Sequence, residues 1–214
     1  MKIKYLGHSS FALESSCGTV IVCDPYEPSV GFAMPEISAH AVTLSHHHFD
    51  HCYAEGVSGK PDVIDRAGEY AVRDIKIRGI DSFHDEFGGA RRGGNVIFKY
   101  ETDGLTVCHL GDLGEDITPA LTDKIGAVNV LLIPVGGTYT IDAATAKKYV
   151  DAIAPDAVIP MHYRTPESKI DIAKIDGFLA LCKGVEIDNV GSEICLSTHD
   201  ICGFKGKIIV MERV

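Results

Sequence analysis

Several features are missing from this 214-residue chain, and each omission narrows what it can be. No stretch approaches the roughly 20 apolar residues a membrane-spanning helix needs, so none is expected. Met1 to His8 reads as a strand, with too little apolar length for a secretory signal, and a cytoplasmic location is expected. Basic residues are in the minority: 20 Lys and Arg face 30 Asp and Glu, a net charge of −10. A dedicated nucleic-acid binder needs a basic face for phosphate, so that class is disfavoured. No Cys-x-x-Cys pair occurs, and the seven cysteines (17, 23, 52, 108, 182, 195 and 202) are an odd number. Free, largely buried thiols in a reducing compartment are the expectation. There is no Gly-x-Ser-x-Gly, hence no serine elbow to act as nucleophile. No linker, repeat or low-complexity stretch divides the chain, and 45% hydrophobic residues suffice for one core. One domain over 1–214 is expected.

What is present in excess is histidine with aspartate. An apolar run, Ala41-Val42-Thr43-Leu44, leads into Ser45-His46-His47-His48-Phe49-Asp50-His51, where five of seven residues are His or Asp. Framed as His46-x-His48-x-Asp50-His51, the run offers the imidazole and carboxylate donors that suit zinc and related divalent ions. Residues two apart in an extended turn point the same way, so His46 and His48 can grip one ion. Asp50 and His51, past the turn, can reach a second, and two neighbouring ions form a hydrolytic device. A solvated polar loop or an expression tag is the ordinary alternative, but a tag sits at a terminus and this run is internal. Cys52, next to His51, reads as a small packed residue beside the cluster.

Along the rest of the chain, strands are expected at 2–6, 11–14, 19–23, 69–72, 75–82, 96–101 and 105–109. The last two form a hairpin over Thr102-Asp103-Gly104. Pro119 marks the first turn of a helix over 118–125. The nearly all-apolar 128–133 run reads as a strand buried on both faces. A helix over 141–153 has Thr140 or Asp142 as N-cap. A second short buried strand follows at 157–159, then a helix over 171–182 ended by Gly184. Strands at 185–187, 194–196 and 208–211 close the chain, the last as an edge strand of a 197–214 extension. Strands first, then strand and helix alternating, describe a mixed α/β (α+β) domain with its core between sheets.

Strand after strand ends in a His or Asp: Asp24, the 46–51 cluster, His84, Asp112 and His162. Ligand sites of layered folds gather at strand ends. In this order and context the sequence resembles the metallo-β-lactamase superfamily over residues 1–196. Gly7-His8-Ser9-Ser10-Phe11 and Pro160-Met161-His162-Tyr163 look most like its small cytosolic branch with the ascorbate-6-phosphate lactonases. The resemblance implies a four-layer αβ/βα sandwich with the site at one edge of two mixed sheets. It implies His46, His48 and His84 on one ion, Asp50, His51 and His162 on a second, and Asp112 between them. Asp24 would support the ligand loop from beneath. The short 51–84 segment would leave the metals more open than in relatives with a helix there.

The expected cofactor is a pair of divalent ions, zinc first, with manganese, iron or nickel open because the same donors accept them. Asp50 and Asp112 would orient the attacking hydroxide. His8, Arg91, Arg92, Tyr163 and Arg164 are candidates for gripping a small, anionic substrate, and the Gly136-Gly137 amides could assist. His109 should pack behind the site. The leading expectation is hydrolysis of a small ester, lactone or phosphate-bearing metabolite. Alternatives are a phosphodiesterase or nuclease, and a non-catalytic metal-binding or redox module. Homo-oligomerisation is left open.

Overall fold

Alternating apolar and polar residues build many of this chain's strands, and the computed structural model, which describes residues 1–214, places them in two sheets. In chain order the strands are β1 (Lys2–Gly7), β2 (Ser10–Glu14), β3 (Val20–Cys23), β4 (Ala41–Thr43), β5 (Asp62–Ile64), β6 (Gly68–Val72) and β7 (Ile75–Phe83). They continue with β8 (Gly94–Thr102), β9 (Leu105–His109), β10 (Val130–Pro134), β11 (Ala157–Met161), β12 (Ile187–Val190), β13 (Glu193–Cys195) and β14 (Lys207–Met211). The helices are α1 (Pro119–Ile125), α2 (Ala143–Ile153), α3 (Asp176–Leu181) and α4 (Thr198–Ile201). One sheet runs β13-β1-β2-β3-β4-β5 and the other β12-β14-β11-β10-β9-β8-β7-β6.

Both sheets are mixed, as expected, and their facing sides make the main core. Ile3, Phe11, Leu13 and Ile21 of the first sheet meet Ile77, Phe98, Val107, Leu132 and Ile159 of the second. Every residue of β10 and β11 is buried, as their apolar runs require of strands covered on both faces. Leu121, Tyr149 and Phe178 of α1, α2 and α3 pack on the outer side of the eight-stranded sheet, against Leu131 and Ile133. Thr118 caps α1 by accepting from Leu121 N, and Asp142 caps α2 by accepting from Thr145 N. The outer side of the six-stranded sheet is covered differently. Val22, Val42 and Leu44 pack under Ala39 and Val57 from loops that hold only short 3-10 turns at Pro28–Val30 and Ala54–Gly56. Pro28, Gly31, Pro35, Gly56, Gly59 and Pro61 deny that covering a longer helix.

Several elements depart from expectation: α4 was not expected, β12 lies at 187–190 where 185–187 was expected, and three further elements differ. The C-terminal strand is not at an edge: β14 pairs in parallel with both β11 and β12, and β12 forms the edge. Its apolar run accounts for this, since Ile208, Ile209 and Met211 are all buried. The helix expected over 171–182 is confined to Asp176–Leu181. Its first residues are committed elsewhere, because Ala173 N donates to Gly136 O and Ala173 O accepts from Arg164 N. Finally, β5 was not foreseen; its three residues extend the first sheet in parallel with β4.

One exposed turn is tied to this framework by a carboxylate. Asp74, between β6 and β7, accepts from the hydroxyls of Thr19 and Thr102. The Thr19 hydroxyl, followed by that of Ser15, pushes its pKa down to about 2. A carboxyl depressed on folding contributes stability above its unfolded pKa of about 3.9 and loses it as pH falls through the folded value. The difference in urea midpoint between the wild type and Asp74→Asn should therefore be constant above pH ~5 and close toward pH ~2. A difference independent of pH would refute this role for the carboxylate.

Candidate metal centre

The expected strand ends meet at one rim of the two sheets. Deepest lies Asp24, just past β3, buried and with its backbone at φ 43°. Its carboxylate accepts from Ser45 N (2.7 Å), from Ser45 Oγ (2.5 Å) and from His51 Nδ1 (2.8 Å). Nδ1 of His51 therefore carries a proton toward Asp24, and Nε2 is the nitrogen turned toward the cluster. That Nε2 lies 3.1 Å from Asp112 Oδ1. His46 repeats the arrangement: Nδ1 meets Ser45 Oγ at 3.0 Å, and Nε2 points inward.

Asp112 is the centre of the cluster. His162 Nε2 is 3.3 Å from its Oδ2, His84 Nε2 3.6 Å and His46 Nε2 3.9 Å. His84 Nε2 also lies 3.2 Å from His48 Nδ1. Asn95, buried at the start of β8, holds Asp112 in place. Its Oδ1 accepts from Asp112 N (2.9 Å), while its Nδ2 donates to Ser82 Oγ and Leu110 O. His162 sits at φ 51°, and its N–H donates to His8 O. A side chain at Gly136 would lie 2.1 Å from His162 O, so only glycine permits this approach of the β10 end to the site.

Ligand atoms of His46, His48 and His84 lie within 4.8 Å of one another. The same holds for His46, His51 and Asp112, and for His8, Asp50, His51 and His162. His46 Nε2, His51 Nε2, His84 Nδ1, Asp112 Oδ1 and both ring nitrogens of His162 are buried without a hydrogen-bond partner. Each such atom costs about 1–3 kcal/mol if left alone. His46 Nε2, His51 Nε2, His162 Nε2 and Asp112 Oδ1 are nitrogen and carboxylate donors of a kind that fits a divalent cation, which would satisfy those that face the cluster.

The side chains of the cluster shift one another's protonation strongly. Burial drives His8 down to about 4, with His162 adding to the effect against Asp50. Burial and then His51 take His46 down to about 3. At His51 burial works the same way, but Asp112, Asp24 and Asp50 overcome it and raise the pKa well above the ordinary value. Asp112 is the counterpart: burial alone would raise it, yet His162 and His51 hold it well below the carboxylate range.

Other candidates divide. His8 belongs to the cluster, its Nε2 at 3.2 Å from Asp50 Oδ2. His109 packs behind it: Nε2 meets Ser9 O, and Nδ1 accepts from Gly111 N. His47 is exposed and pairs with Asp65. Beside the cluster opens a cavity of about 500 Å³, whose lining includes His48, Asp50, His84, Asp112, Arg92, Tyr139 and Lys169. Arg92 lines it, whereas Arg91 pairs with Glu86 over the Phe87 ring. Tyr163 lines a separate cavity with His8 and Arg213, and Arg164 reaches Asp171 instead. Gly136 and Gly137 do not line the site cavity; Tyr139, further along their turn, does. Cys52 is half-buried against the outer face of the first sheet, and all seven cysteines are free. Lys169 and Asn95 were not anticipated. Nothing local marks either: one is a lysine in a loop, the other a polar residue at the start of a strand.

Comparison with known proteins agrees with this architecture. The family model described as β-lactamase superfamily domain matches residues 2–162. A UPF0173 metal-dependent hydrolase of Thermococcus kodakarensis is 27% identical over 193 residues, 77% of this chain and 85% of that protein. One from Carboxydothermus hydrogenoformans is 26% identical, covering 92% of this chain and 100% of its own. Among solved structures, a proposed Zn-dependent hydrolase of the metallo-β-lactamase superfamily from Thermotoga maritima is 39% identical. It superposes with a TM-score of 0.82, over 100% of this chain and 99% of that one. By that match to more than half its length and by that superposition, the chain belongs to the β-lactamase superfamily, with the metallo-β-lactamase fold.

Proposed function

We propose that this protein is a metal-dependent hydrolase that holds two divalent cations, zinc first among them, and cleaves a small ester, lactone or phosphate-bearing metabolite. One observation carries the reading: buried donor atoms from four separate strand ends, several of them unpartnered, converge beside a cavity large enough for a small substrate. The names of the Thermococcus and Thermotoga relatives, a metal-dependent and a proposed Zn-dependent hydrolase, support it.

In this reading His46, His48 and His84 would hold one cation and Asp50, His51 and His162, which cluster with His8, would hold the other, with Asp112 within reach of both sets. The cations supply Lewis acidity and make water acidic enough to act as hydroxide near neutral pH. What the chain contributes is orientation. Asp24 fixes the His51 ring through Nδ1, and Ser45 does the same for His46. His8 anchors the Asp50 carboxylate through Oδ2, and Asn95 fixes the backbone of Asp112. Asp50 and Asp112 both line the cavity, where they orient the attacking water toward a carbonyl or phosphorus centre. Burial of His46, His51 and His162 keeps bulk water from these groups, so the fixed charges act in a medium of low dielectric. The exposed His48 and Phe49 leave one side open for substrate. The seven free cysteines support a cytoplasmic location, and no helix is long and apolar enough to cross a membrane.

Three experiments test this. Esters, lactones, phosphomonoesters, phosphodiesters and RNA are assayed before and after chelation. At least one of the first three should be turned over, with activity lost to chelator and restored by metal; chelator-resistant turnover of all would sink the proposal. His48→Ala, at an exposed position, should keep the fold, bind less metal per chain by elemental analysis and lose at least ~100-fold in kcat/KM. Asp24→Asn leaves the ligands in place but frees the His51 ring. Its metal affinity, measured by competition with a chromogenic chelator, should fall about 10–100-fold. Unchanged affinity would remove Asp24 from the metal-supporting role.

A further inference from the structure

The cavity beside the metal centre has a charge pattern the hydrolase reading does not use. In a chain of net charge −10, two cations, Arg92 and Lys169, stand on its wall. Neither has a carboxylate within ion-pair distance, although their neighbours do: Arg91 is taken by Glu86 and Arg164 by Asp171. Asp171 also lines the cavity, with its side chain 94% exposed and directed to Arg164.

Arg92 is held from behind. The buried carboxylate of Asp85 accepts four backbone N–H groups, from Phe87, Gly89, Arg91 and Arg92, and so winds the 85–92 loop around itself. The Arg92 guanidinium lies 5.4 Å from the Tyr139 ring centroid and donates one Nη2 bond to Thr138 O. Most of its five-donor fork remains free. Lys169 is seated by its own N–H on Val30 O. Its loop crosses Gly31 so closely that a Cβ there would lie 2.1 Å from Glu167 O. Two loops from distant parts of the chain thus present unpaired, backbone-anchored cations to one cavity of about 500 Å³, beside the proposed catalytic carboxylates Asp50 and Asp112.

We infer that Arg92 and Lys169 form an oxyanion subsite, and that the substrate is a small molecule bearing a carboxylate or phosphate apart from the bond that is cleaved. A planar guanidinium and a mobile ammonium together suit such a group, by bidentate and point-charge contacts respectively. This rests on the hydrolase reading for the cleavage, but the anion site itself does not.

Inorganic phosphate and succinate are the binding probes, titrated calorimetrically into the metal-loaded protein. Arg92→Gln and Lys169→Gln should each weaken binding of at least one probe about tenfold, and the double variant about 100-fold. Metal content should stay constant, and Lys183→Gln, a charge lost from a remote surface, should have no effect. Loss for phosphate alone assigns a phosphate-bearing substrate, and loss for succinate alone a carboxylate. Equal affinities in the wild type and double variant for both probes would mean that the metals alone hold the anion, and the subsite would fall. Hydrolysis is read separately, with mono(para-nitrophenyl) succinate and its uncharged analogue para-nitrophenyl butyrate. The charged-to-neutral ratio of kcat/KM should drop at least tenfold in the double variant, mainly through KM. If neither ester nor any other substrate is cleaved while anion binding still depends on the two cations, the hydrolase reading fails and the subsite stands. Chelator-sensitive cleavage with an unaltered ratio and cation-independent binding gives the reverse.

Discussion

A carboxylate deprived of water decides where this site points. Asp24 is buried beneath the ligand turn, and it meets its hydrogen-bonding capacity with Ser45 N, Ser45 Oγ and His51 Nδ1. Burial of a charge is expensive unless it is fully bonded, so these three donors are not free to turn elsewhere. The consequence runs outward: Ser45 is fixed, His46 is fixed through Ser45, and His51 can offer only Nε2 to the donor cluster. One buried acid between two sheets therefore sets the tautomer and aim of the imidazoles above it. The left-handed backbone of Asp24 is consistent with such a demand, because strained residues persist where the surroundings over-determine them.

The sheets make that arrangement possible by directing strand ends to one rim. β3, β4 and β5 are parallel in one sheet, and β9, β10 and β11 in the other. Their carboxyl ends deliver Asp24, the 45–51 turn, Asp112 and His162, and β7 brings His84. Strand ends in a packed sheet move little, which suits ligands whose geometry must hold to within a fraction of an ångström. The approach of β10 to His162 depends on Gly136, where any side chain would strike the His162 carbonyl. Packing and chemistry are set by the same residues here.

What could be read from the sequence follows from how local each signal is. The 46–51 cluster is contiguous, and the apolar strand before it fixes its setting. The all-apolar 128–133 run and the Asp103-Gly104 turn, with φ of 53° and 74°, announce themselves over a few residues. Pro119 marks the first turn of α1 by position alone, and Asp142, one of two candidate caps, is the one that caps α2. By contrast, Asn95 matters because Asp112 N lies across a strand pair from it. Lys169 matters because its loop is pinned to Val30, far away in sequence. Position 207–211 looks like an edge strand until its partners on both sides are known. The helix after His162 is short because Ala173 bonds to the β10 loop, a competition invisible to helix propensity. Arg91 and Arg92 are adjacent and chemically alike, yet only the Asp85 winding decides which of them faces the cavity.

That winding also limits how independently the two parts of the site can change. Most cavity-facing groups outside the donor cluster are on loops: Tyr139 follows the β10 end, and Lys169 is on the 164–173 segment. Such loops can alter without moving a strand end, as binding loops on a rigid scaffold generally do. Arg92 is different. Its loop is gathered by Asp85, and Asp85 is the residue after His84. The His84 backbone is bound into the same structure, since its N–H donates to Gly93 O at the far end of that loop. Gly114 closes the other side, where a Cβ would lie 2.4 Å from the His84 carbonyl carbon. A substitution that relaxes the Asp85 loop therefore shifts a donor of the metal centre together with the arginine. The wall at Lys169 is anchored on Val30 and against Gly31, away from the donor cluster, whereas the wall at Arg92 is mechanically tied to the His84 end of that cluster.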